Sequence, residues 1–197
     1  LYYLKTRRFR NLVVCLSCLL CLGIYHTVMR WYDRPCPSLV FYNVRGCPAI
    51  HCIAEDGTSW LNYADTLSDK RRLQAVAANY WRRHQLLPPI EVTADCQNVD
   101  FCRHQQIVFY HGCRICMVTD NRWRNKSAAS PLFINYMYLC KGYNGRLEEL
   151  TGLFSPSCIL LDASLSDDRK QFFREECKRL HLHFITLSEE GSVRFLL

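Results

Sequence analysis

Histidine and cysteine side chains can hold a metal ion, and the chain has seven histidines and thirteen cysteines. Cys113 and Cys116 form a C-x-x-C pair, but their neighbours alternate as in a strand, where positions i and i+3 face opposite sides. No second C-x-x-C and no H-x₃₋₅-H follows downstream at the distance a zinc site requires. The spacing therefore favours a pair of core thiols over a structural zinc.

Two other positions resemble parts of a site. His181 and His183 would share one face of a strand and could bind a metal, but a helix-end His181, favoured by the helix dipole, and a surface His183 fit the neighbouring residues better. Asp162 and Ser164 follow a buried strand, where sites of α/β proteins often lie. Without a base beside them in sequence, they predict a turn and a cap. No G-x-S-x-G, P-loop or H-E-x-x-H motif is present.

Two runs combine aromatic and basic side chains, the composition that binds single-stranded nucleic acid. The helix run is residues 80–84 (YWRRH) and the loop run is residues 122–126 (RWRNK). The alternative is a solvated helix end and a solvated loop. If this protein contacts DNA, the sequence predicts that it does so through the tryptophans and cations of these runs: Trp81, Arg82, Arg83, Arg122, Trp123, Arg124 and Lys126.

The positive charge is concentrated at the N-terminus. The net charge is +7, but residues 1–34 hold six basic residues and one acidic residue. Residues 35–197 are left with 19 basic and 17 acidic residues. Because this part is nearly neutral, any affinity for nucleic acid has to come from a local patch rather than from the overall charge.

Residues 11–29 predict a transmembrane helix. These nineteen residues contain no Asp, Glu, Lys or Arg, and a helix of that length spans about 28 Å, one bilayer core. Trp31 and Tyr32 would follow as an interfacial belt. The alternatives are a cleaved signal peptide and a buried soluble helix, but no small-x-small cleavage site follows. Four basic residues precede the span, which predicts an extracytoplasmic domain: Lys5, Arg7, Arg8 and Arg10.

The remaining elements predict one α/β domain with a mixed sheet over residues 35–197, after a basic flank, membrane helix and linker over residues 1–34. Leu73, Val76, Ala77 and Tyr80 form the core stripe of a first helix. Periodicity and turns predict, in order, strands at 38–45, 49–53 and 58–63, that helix at 68–84, a hairpin at 107–110 and 113–119, a strand at 132–139, a helix over 147–154, a strand at 158–161, a helix capped by Ser166, and strands at 183–187 and 193–197.

The order of these elements resembles a known family. Residues 38–66 (SLVFYNVRGCPAIHCIAEDGTSWLNYADT) resemble the opening of the metallo-β-lactamase-like domain that ends the ComEC family of DNA-internalisation competence proteins. There a V-G-x-G-D-A turn stands where this chain has residues 44–49 (VRGCPA). The hairpin at 107–120 and the closing elements at 132–197 match the family's pattern as well. The resemblance implies a reduced metallo-β-lactamase-like αββα sandwich with a mixed sheet.

The chain departs from the family at the metal ligands. The competent fold carries H-x-H-x-D-H, but residues 86–100 contain no histidine, and the family's His-His-Gly-Ser turn is replaced by residues 139–142 (LCKG). A two-zinc site needs several such ligands. The resemblance therefore implies the fold without a metal, a cofactor or a catalytic residue.

We expect the non-catalytic C-terminal portion of a bacterial inner-membrane channel that takes up single-stranded DNA during natural transformation. Its expected partners are membrane lipid, the channel helices of the parent chain and single-stranded DNA. Because the sequence begins at Leu1, we interpret it as a piece of a longer protein. The alternatives are a zinc-dependent nuclease or hydrolase of the same fold and a membrane-anchored interaction module with no DNA role.

Overall fold

The computed structural model describes residues 9–32, 36–63, 67–84 and 86–197. Its contacts divide the chain into two units, Leu1–Pro35 and Cys36–Leu197. Three features predicted from the sequence lie outside the described parts: the linker residues 33–35, the side chains of Trp31 and Tyr32, the expected aromatic belt, and the side chain of Ser68, the expected cap of the first domain helix.

Helix α1 (Phe9–Tyr32) is the described part of the first unit. Its stretch Arg10–Met29 has a mean hydropathy of 2.2, is long enough to cross a membrane, and has none of its residues buried within the protein. Such an apolar stretch, unprotected by protein, is typical of a helix that packs against lipid.

Within 36–197, the described residues form two mixed sheets and four helices. The first sheet contains β1 (Ser38–Phe41), β2 (Ala49–Ile53), β3 (Ser59–Tyr63), β4 (Ile90–Val92) and β12 (Val193–Leu196). The second contains β5 (Cys96–Gln97), β6 (Phe101–His104), β7 (Ile107–Tyr110), β8 (Cys113–Val118), β9 (Leu132–Leu139), β10 (Phe154–Leu161) and β11 (Phe184–Thr186). The helices are α2 (Leu67–Arg83), α3 (Leu147–Thr151), α4 (Asp167–Arg179) and α5 (Leu187–Glu190). The strand orders are β12-β1-β2-β3-β4 and β11-β10-β9-β8-β7-β6-β5.

Strand direction follows the connections. Short turns join the antiparallel pairs β1–β2, β2–β3, β6–β7 and β7–β8, as in the turn at His111 and Gly112, whose φ values of 47° and 80° suit a two-residue hairpin. Helices α2, α3 and α4 connect the parallel pairs β3–β4, β9–β10 and β10–β11. The last strand then pairs with β1, so the C-terminus returns to the first sheet.

Three hydrophobic clusters order these elements into layers. The inner faces of both sheets meet in the first cluster, where Phe41 packs edge-on against Tyr138 at 5.3 Å and Trp60 stacks on Phe101 at 5.6 Å. Leu73 and Ala77 of α2 cover the outer face of the first sheet. The outer face of the second sheet packs on α3 and α4. The layers therefore run helix, sheet, sheet, helix, and the predicted α/β class with mixed sheets is confirmed.

Several predictions of burial and of element bounds are wrong, because contacts between elements decide them. Val76, expected on the core face of α2, is half exposed, because only a narrow stripe of that helix meets the sheet. Phe154, expected on a helix, begins β10, because the chain there pairs with β9 over its whole length. Pro156 is therefore inside a strand, which is tolerated because β11 pairs only from Ile159 onward. The strand predicted at 38–45 ends at Phe41.

We expect Gly142→Ala to destabilise the domain strongly. Gly142 has a φ of +113°, and a Cβ there would lie 2.2 Å from the carbonyl oxygen of Thr119. The strained backbone and this clash should lower the free energy of unfolding by about 2 kcal/mol or more. Urea unfolding of the whole chain in detergent micelles, followed by tryptophan fluorescence, measures the loss.

Gly112→Ala is the matched control. Gly112 also has a positive φ, 80°, but a Cβ there meets nothing within 4 Å. Only the left-handed conformation then opposes the substitution, at about 1 kcal/mol. Equal losses for the two variants would show that the close approach of Thr119 does not constrain the turn after β9.

Candidate functional site

The structure places the two aromatic–basic runs in different layers. The helix run ends α2, and its Trp81 packs against the cluster on the outer face of the first sheet. The loop run follows β8, and its Trp123 packs edge-on against Phe154 at 5.1 Å, on the outer side of the second sheet. The runs are therefore not brought together into one surface.

Trp81 is held by hydrogen bonds that point into the protein. Its Nε1 donates to Tyr42 Oη at 3.0 Å, and that oxygen lies 2.9 Å from Nδ1 of His51. Burial lowers the pKa of His51 to about 3. The imidazole is therefore neutral at physiological pH, and its Nδ1 can accept the phenolic proton. The indole is thus fixed by a buried network rather than presented freely to solvent.

Trp123 is also held from one side. Its Nε1 donates to Gln106 Oε1 at 2.6 Å, and Gln106 in turn donates to Thr119 Oγ1 at 2.8 Å. The ammonium of Lys126 lies 5.1 Å from the centre of the indole ring, a cation–π arrangement. Part of the ring that a base would need is therefore already in contact with the protein.

Carboxylates and an amide already contact three arginines of the runs. Arg122 binds both oxygens of Asp120 and holds the pKa of that carboxyl below its usual range. Arg124 lies 3.3 Å from a carboxylate oxygen of Glu149, and Arg82 donates to the Asn79 side chain at 2.7 Å. The other two cations, Arg83 and Lys126, are exposed and have no carboxylate partner among the described residues. The exposed ion pairs of Arg122 and Arg124 are weak enough for a phosphate group to compete with their carboxylates.

A larger feature, which no sequence motif predicted, lies where β9 and β10 end. A cleft of about 860 Å³ opens between the loop after β1 and the loops that follow β9 and β10. We call it the basic cleft, because five cations line it: Arg45, Arg72, Lys141, Arg169 and Lys170. They come from two loops and from helices α2 and α4, so their proximity is visible only in the folded chain.

Asp162 and Ser164 form the turn at the base of this region. Buried Asp162 accepts hydrogen bonds from the Tyr138 hydroxyl and, at 2.7 Å, from the Ser164 backbone N–H. Burial raises the pKa of Asp162, while these bonds oppose the shift. Ser164 Oγ accepts from the Lys141 N–H at 3.0 Å. The predicted turn is therefore present, and it connects the loops after β9 and β10.

Four of the five cleft cations lack a carboxylate partner among the described residues: Arg45, Arg72, Lys141 and Arg169. Lys170 binds Asp167 at 3.2 Å. Asp167 is the one acidic residue among the described residues that line the cleft, and its side chain is fully exposed. The lining therefore carries a formal excess of four positive charges, which is a setting for an anion.

The histidines and cysteines singled out as metal ligands are dispersed. Among the described residues, no group of three or more His, Cys, Asp and Glu side chains could hold a metal ion. Cys113 packs against the inner cluster and Cys116 lies in the outer one, which confirms that they face opposite sides. His181 is exposed, and His183 Nδ1 lies 3.2 Å from Cys158 Sγ. None of these residues lines the basic cleft.

Comparison with known proteins finds one family. The family model described as "ComEC C-terminal domain" matches residues 39–197. This segment holds both runs and all residues of the basic cleft. No curated protein and no solved structure matches the chain.

We expect His51 to make the fold sensitive to acid. Its pKa is about 3 in the folded protein and about 6.5 when unfolded. Between these values the unfolded chain binds a proton that the folded chain does not. The free energy of unfolding should therefore fall by about 1.4 kcal/mol for each pH unit lost below about 6.5. Urea unfolding of the whole chain at several pH values measures this slope.

Comparison of variants shows whether His51 causes this dependence of the unfolding free energy on pH. His51→Gln removes the titrating group and should flatten the acid limb by about 1.4 kcal/mol per pH unit, whatever its effect at neutral pH. His104→Gln is the control, because the His104 side chain is 77% exposed. Parallel slopes for the wild-type and His51→Gln proteins would show that the buried imidazole titrates normally.

Proposed function

The chain belongs to the ComEC family through a C-terminal domain over residues 39–197, and from this premise we propose that it is the non-catalytic C-terminal portion of an inner-membrane channel that takes up single-stranded DNA in natural transformation. The family match carries the proposal, since it indicates a role in competence and DNA uptake. The apolar helix α1 agrees with a membrane-associated family.

The charge of the basic cleft supports a non-catalytic role. The cleft lies at the strand ends, where the family's His-His-Gly-Ser turn is replaced by residues 139–142, and this replacement puts Lys141 in the lining. Residues 86–100, where the metal motif H-x-H-x-D-H was expected, contain no histidine. Five cations around the cleft would repel a divalent metal ion rather than bind it.

The layer order supports a reduced metallo-β-lactamase-like sandwich. Two mixed sheets face each other, α2 covers one outer face, and α3 and α4 cover the other. That is the αββα arrangement that the resemblance implies.

The flanks of α1 support an extracytoplasmic position for the domain. Four basic residues precede the apolar stretch, against Arg30 and Arg34 after it, and the more basic side faces the cytoplasm. In this arrangement α1 contacts lipid and the channel helices of the parent chain. The two aromatic–basic runs remain predicted contact sites for single-stranded DNA.

Metal analysis tests the non-catalytic part of the proposal. We expect the whole chain, purified in detergent and incubated with zinc or manganese, to retain no stoichiometric metal after gel filtration, and to leave labelled DNA uncut. Elemental analysis and a nuclease assay on the same fractions measure both. Two tightly held metal ions per chain with metal-dependent cleavage would establish the nuclease alternative instead.

A transformation assay tests the DNA-uptake part. In a naturally transformable host, we expect loss of residues 36–197 to lower transformation frequency, with membrane levels of the remaining protein checked by immunoblot. A host lacking an unrelated membrane protein serves as the control. Normal uptake without the domain would favour an anchored interaction module with no DNA role.

A further inference from the structure

We propose that the basic cleft binds the phosphate groups of a single DNA strand, through Arg45, Arg72 and Lys141, and does not read its bases. This inference rests on the proposed function for its choice of ligand. Cations from loops of both sheets and from two helices converge on one cleft, and Asp167 is the one acidic residue among the described residues of its lining.

Cations from distant parts of the sequence converge on the basic cleft. Arg45 lies in the loop after β1 of the first sheet, and Lys141 lies in the loop after β9 of the second. Arg72 lies on α2, and its guanidinium is 3.6 Å from the position that a Cβ on Gly46 would take. Like charges that share a cleft repel each other unless an anion lies between them. No carboxylate among the described residues neutralises any of the three. A phosphate is the anion whose geometry guanidinium and ammonium groups bind well.

The positive charge of this part of the chain is concentrated in the basic cleft. Residues 35–197 carry an excess of about two positive charges, whereas the cleft lining alone carries an excess of four. The remainder of this part is therefore slightly acidic, which directs a polyanion towards the cleft. By contrast, Arg122 and Arg124 of the loop run already lie against carboxylates.

Arg169 gives the cleft a rigid wall. Its guanidinium lies 4.4 Å from the ring centre of Phe173 and 4.8 Å from that of Phe172, and it donates to the Gly145 carbonyl at 2.9 Å. These contacts fix the side chain before any ligand arrives, so its charge acts without a further loss of conformational freedom. Because its Nη2 already donates to the carbonyl oxygens of Tyr143 and Gly145, we assign Arg169 to the electrostatic field of the cleft rather than to direct contact.

Among the described residues of its lining, the cleft offers no aromatic platform for a base. Tyr143 is its lining aromatic residue, but it is 1% exposed, stacks on Phe173 and donates its hydroxyl to the Arg146 carbonyl. Base stacking, which contributes about 1–3 kcal/mol per base in single-strand binders, is therefore missing. Recognition is left to the backbone, so affinity should not depend on base identity.

Salt dependence gives the expected size of the effect. Each phosphate neutralised on a single strand contributes about 0.7 to the slope of log affinity against log salt. Three contacts predict a slope of about −2, or a loss of roughly 20-fold in affinity between about 50 and 200 mM salt. Such binding is weak and reversible, as a conduit for a moving strand requires.

The experiment measures fluorescence anisotropy of labelled oligonucleotides with the whole chain in zwitterionic nanodiscs. The cleft variant combines Arg45→Gln, Arg72→Gln and Lys141→Gln. The matched control removes the same charge from exposed cations outside both the cleft and the runs, with Arg71→Gln, Arg114→Gln and Lys178→Gln. We expect the cleft variant to lose at least tenfold in affinity at low salt and to reduce the salt slope by about two, while the control keeps both.

Comparison of different ligands shows which part of the oligonucleotide the protein binds. An abasic oligonucleotide should bind as tightly as oligothymidylate of the same length, because only the backbone is contacted. Thymidine monophosphate and inorganic phosphate should compete poorly; competition as strong as that of the oligonucleotide would overturn the strand as ligand. A tenfold weaker affinity for the abasic strand would overturn the cleft assignment in favour of base stacking on the runs. Equal losses in the two triple variants would overturn it in favour of non-specific attraction by surface charge.

Transformation frequency separates this inference from the proposed function. If removal of the domain abolishes uptake while the cleft variant binds DNA normally, the cleft assignment is wrong and the DNA-uptake role stands. If the cleft variant loses binding in nanodiscs while a host lacking residues 36–197 transforms normally, the cleft assignment stands and the uptake role is wrong. Urea unfolding of each variant shows that the fold is retained.

Discussion

The contact between the inner faces of the two sheets determines most of what this domain can do. Phe41 at the end of β1 packs edge-on against Tyr138 near the end of β9, with their ring centres 5.3 Å apart. Arg45 follows Phe41 by four residues and Lys141 follows Tyr138 by three. Burying such rings stabilises the fold by several kcal/mol, and the same contact brings two cations from different sheets to one cleft.

Tyr138 extends this constraint to the neighbouring loop. Its ring lies in the inner cluster, while its hydroxyl donates to buried Asp162 at the end of β10. Asp162 accepts from the Ser164 N–H, and Ser164 accepts from the Lys141 N–H. A chain of hydrogen bonds that starts at buried Tyr138 and Asp162 and ends at the Lys141 backbone therefore joins the loops after β9 and β10. The carboxylate shapes the cleft from below instead of lining it.

The two tryptophans of the runs show how polar edges direct large aromatic side chains. Each indole N–H finds an acceptor inside the protein, Tyr42 for Trp81 and Gln106 for Trp123. A half-buried indole without an acceptor would lose a hydrogen bond. Both rings therefore pack against the hydrophobic clusters on the outer faces of the sheets. Binding through the runs would therefore depend on their exposed cations, whereas the basic cleft keeps its unneutralised cations together.

The sequence by itself determined the features that short segments encode. The nineteen uncharged residues of α1, the turn at His111 and Gly112 and the cap at Ser166 each depend on neighbours in the chain, so their signals were readable. The tertiary structure decided the rest. Phe154 became a strand residue because β9 offered a partner. Arg45, Arg72 and Lys141 are far apart in sequence, and only the sheet order and the packing between the sheets bring their charges to one cleft.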